Sequence, residues 1–272
     1  MMGGYIVKEY TGSRQKVESE IRILQQLCHD KLVSYEFIAD EGPRVSIFMP
    51  WAGAPLREHR AARAAAYDED AARHVAHQLA SALAYLHARG IVHRDIKPDN
   101  LGVGPDSRLQ LFDWGEAVAL AEVAGMSDRE LSRRAGVAGT ALFMPPESLN
   151  HLVRRGGGCG CGSPSCGGPD GGPPALRGAL GPALDVWGLG TVVYFVLAGR
   201  DIFAGDSPWE LEDLADVVNV SSGVPLPEGA PASFAARAFL RRCLERCPAR
   251  RAGAAELLRH PWLRGAETEA EV

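Results

Sequence analysis

Residues 93–100 of this chain read HRDIKPDN, and residues 113–115 read DWG. The first stretch follows a helical pattern whose apolar residues repeat at three and four, and the second follows a short β-type run, 109–112. The first stretch also holds Lys97 and Asn100, although the chain has only four lysines and three asparagines. Because the composition is biased to Arg and Ala, a lysine or an asparagine is expected where a guanidinium or a methyl group cannot serve. These two stretches are therefore the most informative part of the sequence.

The two stretches resemble the catalytic core of eukaryotic-type protein kinases. In that family the Asp of the first motif accepts the proton of the substrate hydroxyl, and the Asn and the second Asp hold magnesium ions on the phosphates of ATP. The resemblance implies that Asp95 is the base and that Asn100 and Asp113 are the metal ligands, with ATP and Mg²⁺ as cofactors. These residue types suit the chemistry because a hydroxyl nucleophile needs an acceptor and magnesium prefers oxygen ligands.

Two further residues of these motifs bear on the branch of the family and on the metal site. Lys97, two residues after Asp95, would place a positive charge beside the transferring phosphoryl group, and a lysine at this place resembles the serine/threonine kinases. Trp114 stands where the family usually has Phe. Both are large aromatic side chains, so we expect the geometry beside the metal ligand to be preserved.

The chain before these motifs resembles the small lobe of a kinase. Residues 6–8, IVK, resemble the end of the strand that carries the phosphate-binding lysine, and residues 20–24, EIRIL, resemble the helix that carries its carboxylate partner. The resemblance implies that Lys8 holds the α- and β-phosphates and pairs with Glu20. Glu18 is the alternative partner, but Glu20 fits the phase of the following apolar residues better. Without the motifs, Lys8 and Glu20 would be interpreted as solvated surface charges.

Residues 49–53, MPWAG, resemble the hinge that joins the two kinase lobes and binds adenine through backbone groups. The resemblance implies that Met49 is the gatekeeper and that the Ala52 N–H donates to adenine. Pro50 has no N–H, but its carbonyl can accept a hydrogen bond from the adenine amino group. The alternative is an ordinary Pro/Gly turn between the lobes.

Two downstream stretches resemble structural motifs of the same family. Residues 139–147, GTALFMPPE, resemble the end of the activation segment, and DVWGLG, which begins at Asp185, resembles the start of the central helix of the large lobe. The resemblance implies that Thr140 bridges the catalytic base and the lysine after it. It also implies that Glu147 pairs with Arg251 and that Asp185 orients the catalytic loop through its backbone.

The predicted fold class is α+β, a two-lobed protein-kinase-like fold with a truncated small β lobe and a mainly helical large lobe. A low-complexity stretch rich in Gly, Pro and Cys is predicted to be a loop insertion, because it cannot pack a core. A metal site on its three cysteines is the weaker alternative. The predicted divisions are the kinase domain 1–264, with the small lobe 1–50, the hinge 51–56, the large lobe 57–264 and the insertion 155–174, and an acidic tail 265–272.

Only seven residues precede Lys8, whereas the family has two strands and a Gly-rich turn before this lysine. The chain is therefore expected to be a fragment, to come from an incomplete gene model, or to work without a phosphate-covering loop. In the last case we expect weak binding of Mg-ATP and a marginally stable small lobe, because the backbone N–H groups of that turn would be missing.

Composition and charge exclude several other classes of protein. The 272 residues are 46% hydrophobic and 23% charged, which suffices for a packed core, and the net charge of −5 argues against a general nucleic-acid or membrane surface. The start lacks the pattern of a signal peptide, and the longest apolar run, 186–198, is too short to cross a bilayer. Six cysteines without a signal peptide indicate a reducing compartment, so the expected location is the cytoplasm or the nucleus.

The leading hypothesis is a serine/threonine protein kinase whose partner is a protein substrate with Ser or Thr hydroxyl groups. One alternative is a pseudokinase that acts as a binding or scaffold module. A small-molecule phosphotransferase would share Asp95, Asn100 and Asp113, but it is not expected to carry Lys97 or the activation-segment motif. The sequence leaves the oligomeric state open.

Overall fold

The computed structural model describes residues 5–11, 14–63, 67–127, 130–131, 138–153, 180–204, 210–220, 226, 230 and 232–265. The predicted insertion at 155–174, with its cysteines, and the predicted acidic tail after Gly265 lie outside these residues. The described chain forms a small lobe built on a sheet and a larger, mainly helical lobe. The predicted two-lobed α+β fold class is confirmed, whereas the predicted divisions of the chain stay a prediction.

The small lobe is an antiparallel three-stranded sheet with one helix. Its elements are β1 (Tyr5–Tyr10), α1 (Arg14–Leu24), β2 (Phe37–Asp40) and β3 (Val45–Pro50). Strand β3 lies in the middle of the sheet, with β1 and β2 on either side. In this register Lys8 of β1 lies opposite Ile47 of β3, which is fully buried. The site lysine is therefore carried by a strand that is hydrogen-bonded to the centre of the sheet.

Helix α1 buries one face against the core of the small lobe. Its buried residues lie three or four positions apart or next to one another, which places them on one side of the helix. They are Val17, Glu20, Ile23 and Leu24. Glu20 is the only charged residue among these four, and a buried carboxylate must be paired or hydrogen-bonded. Helix α1 therefore places Glu20 at a buried position, where its carboxylate needs a partner.

The large lobe combines helices with short strands. Its helices are α2 (Leu56–Ala61), α3 (Glu69–Ala88), α4 (Leu120–Val123), α5 (Pro146–Leu152), α6 (Ala183–Ala198), α7 (Leu211–Val220), α8 (Phe234–Cys243) and α9 (Ala254–Leu257). Its strands are β4 (Ala54–Pro55), β5 (Ile91–Val92), β6 (Leu101–Val103), β7 (Leu109–Leu111) and β8 (Val118–Ala119). Strands β4, β6 and β7 form one antiparallel sheet, and β5 pairs with β8. The loops between these strands carry most of the motif residues.

Helices α3 and α6 pack against each other in the core of the large lobe. Asp68 caps α3, because its side chain accepts a hydrogen bond from the Ala71 N–H at 2.8 Å. Helix α6 is apolar on all sides, and every residue from 184 to 197 is buried. Its first turn contains Asp185, so this carboxylate is fixed in the protein interior.

Helix α1 ends at Leu24 because the next residues form tighter turns, such as the hydrogen bond of 3.0 Å from the Gln26 N–H to the Ile23 carbonyl. Within the described ranges, no helix has both the length and the apolar character that crossing a bilayer requires.

Candidate active site

Residues 93–100 form the catalytic loop, which is anchored by Asp185. The buried Asp185 carboxylate accepts hydrogen bonds from the backbone N–H groups of His93 at 2.9 Å and Arg94 at 2.8 Å. Arg94 has a φ of 73°, a left-handed conformation that is unfavourable for a residue with a side chain. The two hydrogen bonds hold the backbone in this conformation. The contact predicted for Asp185 is therefore present.

The Asp185 carboxylate also contacts the side chain of His87, whose Nε2 lies 2.9 Å from Oδ2. Burial alone would raise the pKa of Asp185, but the hydrogen bonds and charge of His87 and the contacts with His93 lower it below its ordinary value. The carboxylate therefore remains ionised at neutral pH. It continues to accept hydrogen bonds from the catalytic loop over the whole physiological range.

Asp95 lies in the catalytic loop with both carboxylate oxygens in hydrogen bonds. Its Oδ2 is 2.6 Å from Lys97 Nζ and 3.0 Å from Asn100 Nδ2. Its Oδ1 accepts from the N–H and the hydroxyl of Thr140 at 2.9 and 3.0 Å. Lys97 Nζ also donates to the Thr140 hydroxyl at 2.7 Å. The predicted bridge of Thr140 between the aspartate and the lysine is present, and it fixes the orientation of the carboxylate.

The side-chain amide of Asn100 is oriented by Asp95. Its Nδ2 donates to the Asp95 backbone carbonyl at 2.8 Å as well as to the carboxylate. Because the nitrogen faces Asp95, the amide oxygen is left for another ligand. The Phe112 N–H donates to the Asn100 carbonyl at 3.1 Å and so ties this turn to the end of the β6–β7 hairpin. Asn100 and Asp113 therefore lie at the same end of that hairpin.

The donor set of Asn100 and Asp113 suits magnesium. Proteins bind Mg²⁺ through one or two carboxylates, while waters and substrate phosphates supply the other ligands. Among the residues that the structure describes, no group of three or more His, Cys, Asp and Glu side chains could enclose a metal alone. Burial alone would raise the pKa of Asp113, but the hydrogen bond and charge of Lys8 lower it. An ionised carboxylate and an amide oxygen thus fit a hard cation that is shared with a phosphate ligand.

Lys8 connects the small lobe to Asp113. Its Nζ is 2.9 Å from Glu20 Oε1 and 2.7 Å from Asp113 Oδ1. Burial alone would lower the pKa of Lys8, but the two carboxylates raise it well above its ordinary value. A Cβ atom added to Gly115 would lie 3.3 Å from Lys8 Nζ, so a larger residue there would crowd the amine. The structure therefore brings together three charged side chains from β1, α1 and the loop after β7.

Glu18, the alternative partner of Lys8, lies on another face of α1. Its side chain is 58% exposed and pairs with Arg14 one turn earlier at 3.2 Å. The side chain of Glu20 is only 2% exposed and contacts Lys8 directly. Glu20 is therefore the carboxylate that the structure pairs with the lysine.

Trp114, the residue after Asp113, is buried and makes a hydrogen bond that phenylalanine could not make. Its indole N–H donates to the Val33 carbonyl at 3.2 Å. Its ring meets His93 edge-on, with the ring centroids 5.1 Å apart. Asp113 has a φ of 66°, so its backbone depends on neighbours that hold it in place. The sequence predicts a preserved geometry here, but nothing in it indicates the bond to Val33.

The hinge residues Met49 and Ala52 are both buried. A Cβ atom on Gly102 would lie 2.5 Å from the Ala52 Cβ, so β6 approaches the hinge more closely than any side chain would permit. Gly53 has a φ of 97°, and a Cβ atom there would lie 2.1 Å from the Val103 carbonyl oxygen. The hinge backbone is therefore fixed against the large lobe. Recognition of adenine by Met49 and Ala52 stays a prediction.

A small pocket lies beside Asp95. Its polar wall includes Asp95 and Thr140, and most of the other lining side chains are apolar. The pocket is lined by Arg94, Asp95, Ile96, Thr140, Phe143, Met144, Leu184 and Gly188.

Glu147, at the end of the predicted activation segment, forms a buried ion pair. Arg251 donates to the two oxygens of Glu147 at 2.8 and 3.0 Å, which is the predicted pair. The same guanidinium donates to the Ala183 carbonyl at 2.7 Å. Bidentate pairs of this kind are strong and geometrically specific. The pair therefore joins α5 and the start of α6 to the C-terminal part of the lobe.

Two residues outside the motifs, Tyr10 and Arg57, make contacts at the site. Tyr10 donates a hydrogen bond from its hydroxyl to Glu20. Arg57 donates to Asp99 of the catalytic loop at 2.8 Å and to both oxygens of Asp201 at 3.1 Å. Residues two apart in a strand share a face, so the place of Tyr10 two residues after the site lysine was a usable signal. Arg57 lies 42 and 144 residues from its partners, and no local pattern indicates such contacts.

Comparisons with known proteins show what the chain is similar to. The sequence model of the protein kinase domain family matches residues 5–158 and 173–263, and the gap between the two matched ranges, 159–172, falls within the predicted insertion. The chain is 32% identical over 266 residues to serine/threonine-protein kinase SSK22 of Saccharomyces cerevisiae, covering 91% of this chain and 17% of that protein. It is 28% identical over 262 residues to human calcium/calmodulin-dependent protein kinase type 1B, covering 95% of this chain and 65% of that protein. The chain thus spans less than two thirds of the length of these relatives.

Proposed function

The chain belongs to the protein kinase family, and on that premise we propose that it transfers the γ-phosphoryl group of ATP to Ser or Thr hydroxyl groups of proteins. The observation that carries the proposal is the cluster around Asp95 and Asp113. The Asp95 carboxylate is hydrogen-bonded to Lys97 and Asn100, and the Asp113 carboxylate is hydrogen-bonded to Lys8. We take Asp95 as the proton acceptor, Asn100 and Asp113 as the magnesium ligands, and Lys8 and Lys97 as the cations that contact phosphate.

The binding roles follow from the donors that each residue presents. A protein kinase domain implies the use of ATP and Mg²⁺. We assign the metal to the Asn100 amide oxygen and the Asp113 carboxylate, and the α- and β-phosphates to Lys8. We assign the adenine to the hinge, with Met49 as the gatekeeper and the Ala52 N–H as donor. The bound magnesium supplies positive charge that stabilises the negative charge on the phosphates.

The chemical roles belong to the catalytic loop. Asp95 accepts the proton of the substrate hydroxyl and orients its oxygen, because its carboxylate is held in a fixed orientation by Lys97, Asn100 and Thr140. Lys97 lies 2.6 Å from this carboxylate, so its positive charge stands next to the transferring group. Thr140 holds both side chains in this arrangement. Most of the rate enhancement in phosphoryl transfer comes from such positioning and charge stabilisation.

The choice of Ser and Thr as acceptors is supported by Lys97 and by the relatives. The yeast and human relatives are named as a serine/threonine-protein kinase and a calcium/calmodulin-dependent protein kinase. Since the chain spans only part of each relative, its substrate remains part of the proposal. We propose a protein substrate, and a location in the cytoplasm or the nucleus stays a prediction.

Phosphorylation of peptide libraries by the purified chain tests the proposal. With γ-labelled ATP and Mg²⁺, we expect labelled phosphoserine and phosphothreonine, and no labelled phosphotyrosine. The matched control is Asp95→Asn, which keeps the shape of the side chain and is expected to remove the labelling. Binding of Mg-ATP without any transfer would contradict the proposal and support the scaffold alternative instead.

A further inference from the structure

Tyr10 is a third side chain at the ion pair of Lys8 and Glu20. It lies two residues after Lys8 in β1, so both side chains are on the same face of the sheet. Its hydroxyl donates to Glu20 Oε2, while Lys8 Nζ lies 2.9 Å from Oε1 and 3.2 Å from Oε2. The Lys8 amine also lies 5.3 Å from the centre of the Tyr10 ring, within the range of a cation–π contact. Tyr10 therefore contacts both members of the pair.

Glu20 needs a second donor because its carboxylate is buried and Lys8 has other partners. An oxygen of a buried carboxylate that lacks a donor costs free energy. The Lys8 amine is shared with Asp113 at 2.7 Å, and under the proposed function it also contacts the phosphates of ATP. The bond from Tyr10 to Oε2 does not depend on which of these groups Lys8 contacts. Tyr10 is thus the hydrogen-bond donor that Glu20 keeps whether Lys8 contacts Asp113 or phosphate.

We propose that Tyr10 is a positioning residue, which holds the Glu20 carboxylate in place while Lys8 binds phosphate. The part of the proposal that concerns phosphate rests on the proposed function. Glu20 belongs to α1 and Tyr10 belongs to β1, so their bond also fixes the helix to the strand that carries the lysine. A tyrosine that only filled space here would be replaced by phenylalanine without loss, because the hydroxyl alone contacts the carboxylate.

The substitution Tyr10→Phe removes the hydroxyl and keeps the ring. We expect kcat/KM for Mg-ATP to fall about tenfold, the ratio that corresponds to one hydrogen bond to a charged group. The matched control is Tyr35→Phe, which makes the same change at a half-buried tyrosine in the same lobe and is expected to leave kcat/KM unchanged. In a Glu20→Gln background, Tyr10→Phe should cost about twofold at most, because the ion pair that it serves is already gone.

Chemical labelling of Lys8 tests the contact without any nucleotide. The chain has four lysines, so peptide mass spectrometry after treatment with an acetylating reagent can follow each of them. Release of Glu20 by Tyr10→Phe should leave the Lys8 amine less firmly held, and we expect its labelling rate to rise several-fold. Lys16 and Lys31 serve as internal references and should keep their rates.

The results separate this proposal from the proposed function. Unchanged labelling of Lys8 in Tyr10→Phe overturns the role of Tyr10, and so does an equal loss of kcat/KM in the parent and Glu20→Gln backgrounds. If the parent chain neither binds Mg-ATP nor transfers phosphate, the proposed function is wrong. In that case the labelling rate of Lys8 still decides whether Tyr10 positions Glu20.

Discussion

The predicted catalytic loop and the lysine site, which comprises Lys8, Glu20 and Asp113, lie next to each other at the end of the β6–β7 hairpin, but the protein holds them in different ways. Asp95 and Asn100 are both buried, and their partners come from the loop itself and from the large lobe. The side chains of Lys8 and Asp113 are 30% and 46% exposed, and they meet across 105 residues of sequence. The first region is therefore built within one lobe, whereas the second exists only when both lobes are in place.

This difference indicates which region is more easily disturbed. Removing one hydrogen bond from the catalytic loop leaves several others. Asp95, for example, accepts hydrogen bonds from three residues, Lys97, Asn100 and Thr140. The lysine site depends on fewer bonds, and each joins elements from different parts of the chain. We therefore expect changes in the catalytic loop to act on the chemical step or on stability, and changes near the lysine site to act on nucleotide binding.

The sharpest contrast is between Asp95→Asn and Asp113→Ala. Asp95→Asn removes the proposed proton acceptor and leaves the proposed metal ligands, so kcat should fall by about 100- to 10,000-fold while the Kd of Mg-ATP stays nearly the same. Asp113→Ala removes a metal ligand and should raise that Kd instead. Steady-state kinetics with calorimetric titration of Mg-ATP measures both. Transfer by Asp95→Asn at the parent rate would show that another residue is the base.

The anchoring of the catalytic loop is tested by Asp185→Asn. The substitution replaces one carboxylate oxygen by an amide NH2, which presents a donor to a backbone N–H group that needs an acceptor, at a fully buried position. We expect the free energy of unfolding to fall by about 3 kcal/mol, measured by urea denaturation, and kcat to fall with it. Asp70→Asn is the surface control, since that side chain is 81% exposed, and it should change stability by less than about 0.5 kcal/mol. Equal effects of the two substitutions would contradict the anchoring role.

A smaller effect is expected from Trp114→Phe, which lies between the two regions. The substitution removes the donor to the Val33 carbonyl and loosens the backbone at Asp113, so the Kd of Mg-ATP should rise about three- to tenfold. Trp262→Phe is the matched control, because this buried indole also donates one hydrogen bond, to Glu69 at 2.8 Å in the large lobe. It should lower stability without changing the Kd. A Kd that rises equally in both variants would show a general loss of packing instead.

The sequence predicts the residues of the motifs well, because their spacing is short and their side chains act together. Asp95, Lys97 and Asn100 lie within six positions, and the structure joins them by hydrogen bonds. The bond of Trp114 to Val33 could not be predicted in the same way. It depends on where the loop between α1 and β2 passes, and that is set by the packing of the whole small lobe.

The scarcity of asparagine in the sequence also helps to predict a residue of the site. It pointed to Asn100, which the structure orients through Asp95. The other two asparagines, Asn150 and Asn219, donate to each other's amide oxygens at 3.1 and 2.6 Å and so join α5 to α7. Composition can indicate that such residues have a special role. It cannot distinguish a metal ligand from a reciprocal amide pair, because the partner lies 69 residues away.

The smallest effect is expected from removing phosphate from the activation segment, because Arg94 already has carboxylates near it. In kinase relatives this arginine pairs with a phosphate on the segment, but residues 134–138 read RAGVA and offer no hydroxyl. Burial lowers the pKa of Arg94, and the charges of Glu116 and Asp185 oppose that shift, so the guanidinium is partly compensated by side chains of the protein.

Phosphatase treatment should therefore leave kcat within about twofold of the untreated value, a change of less than about 0.5 kcal/mol in the barrier. The nearest hydroxyl groups before residues 134–138 are those of Ser127 and Ser132, and the Ser127 hydroxyl donates to Glu130 at 2.6 Å. A phosphate on Ser127 would replace this bond by repulsion between two negative groups, so it is a poor candidate for an activating site. A large loss of activity on phosphatase treatment, restored by phosphorylation of Ser132, would contradict the prediction. It would also show that the catalytic loop is not complete without a phosphate, and that it resembles the lysine site in depending on a distant partner.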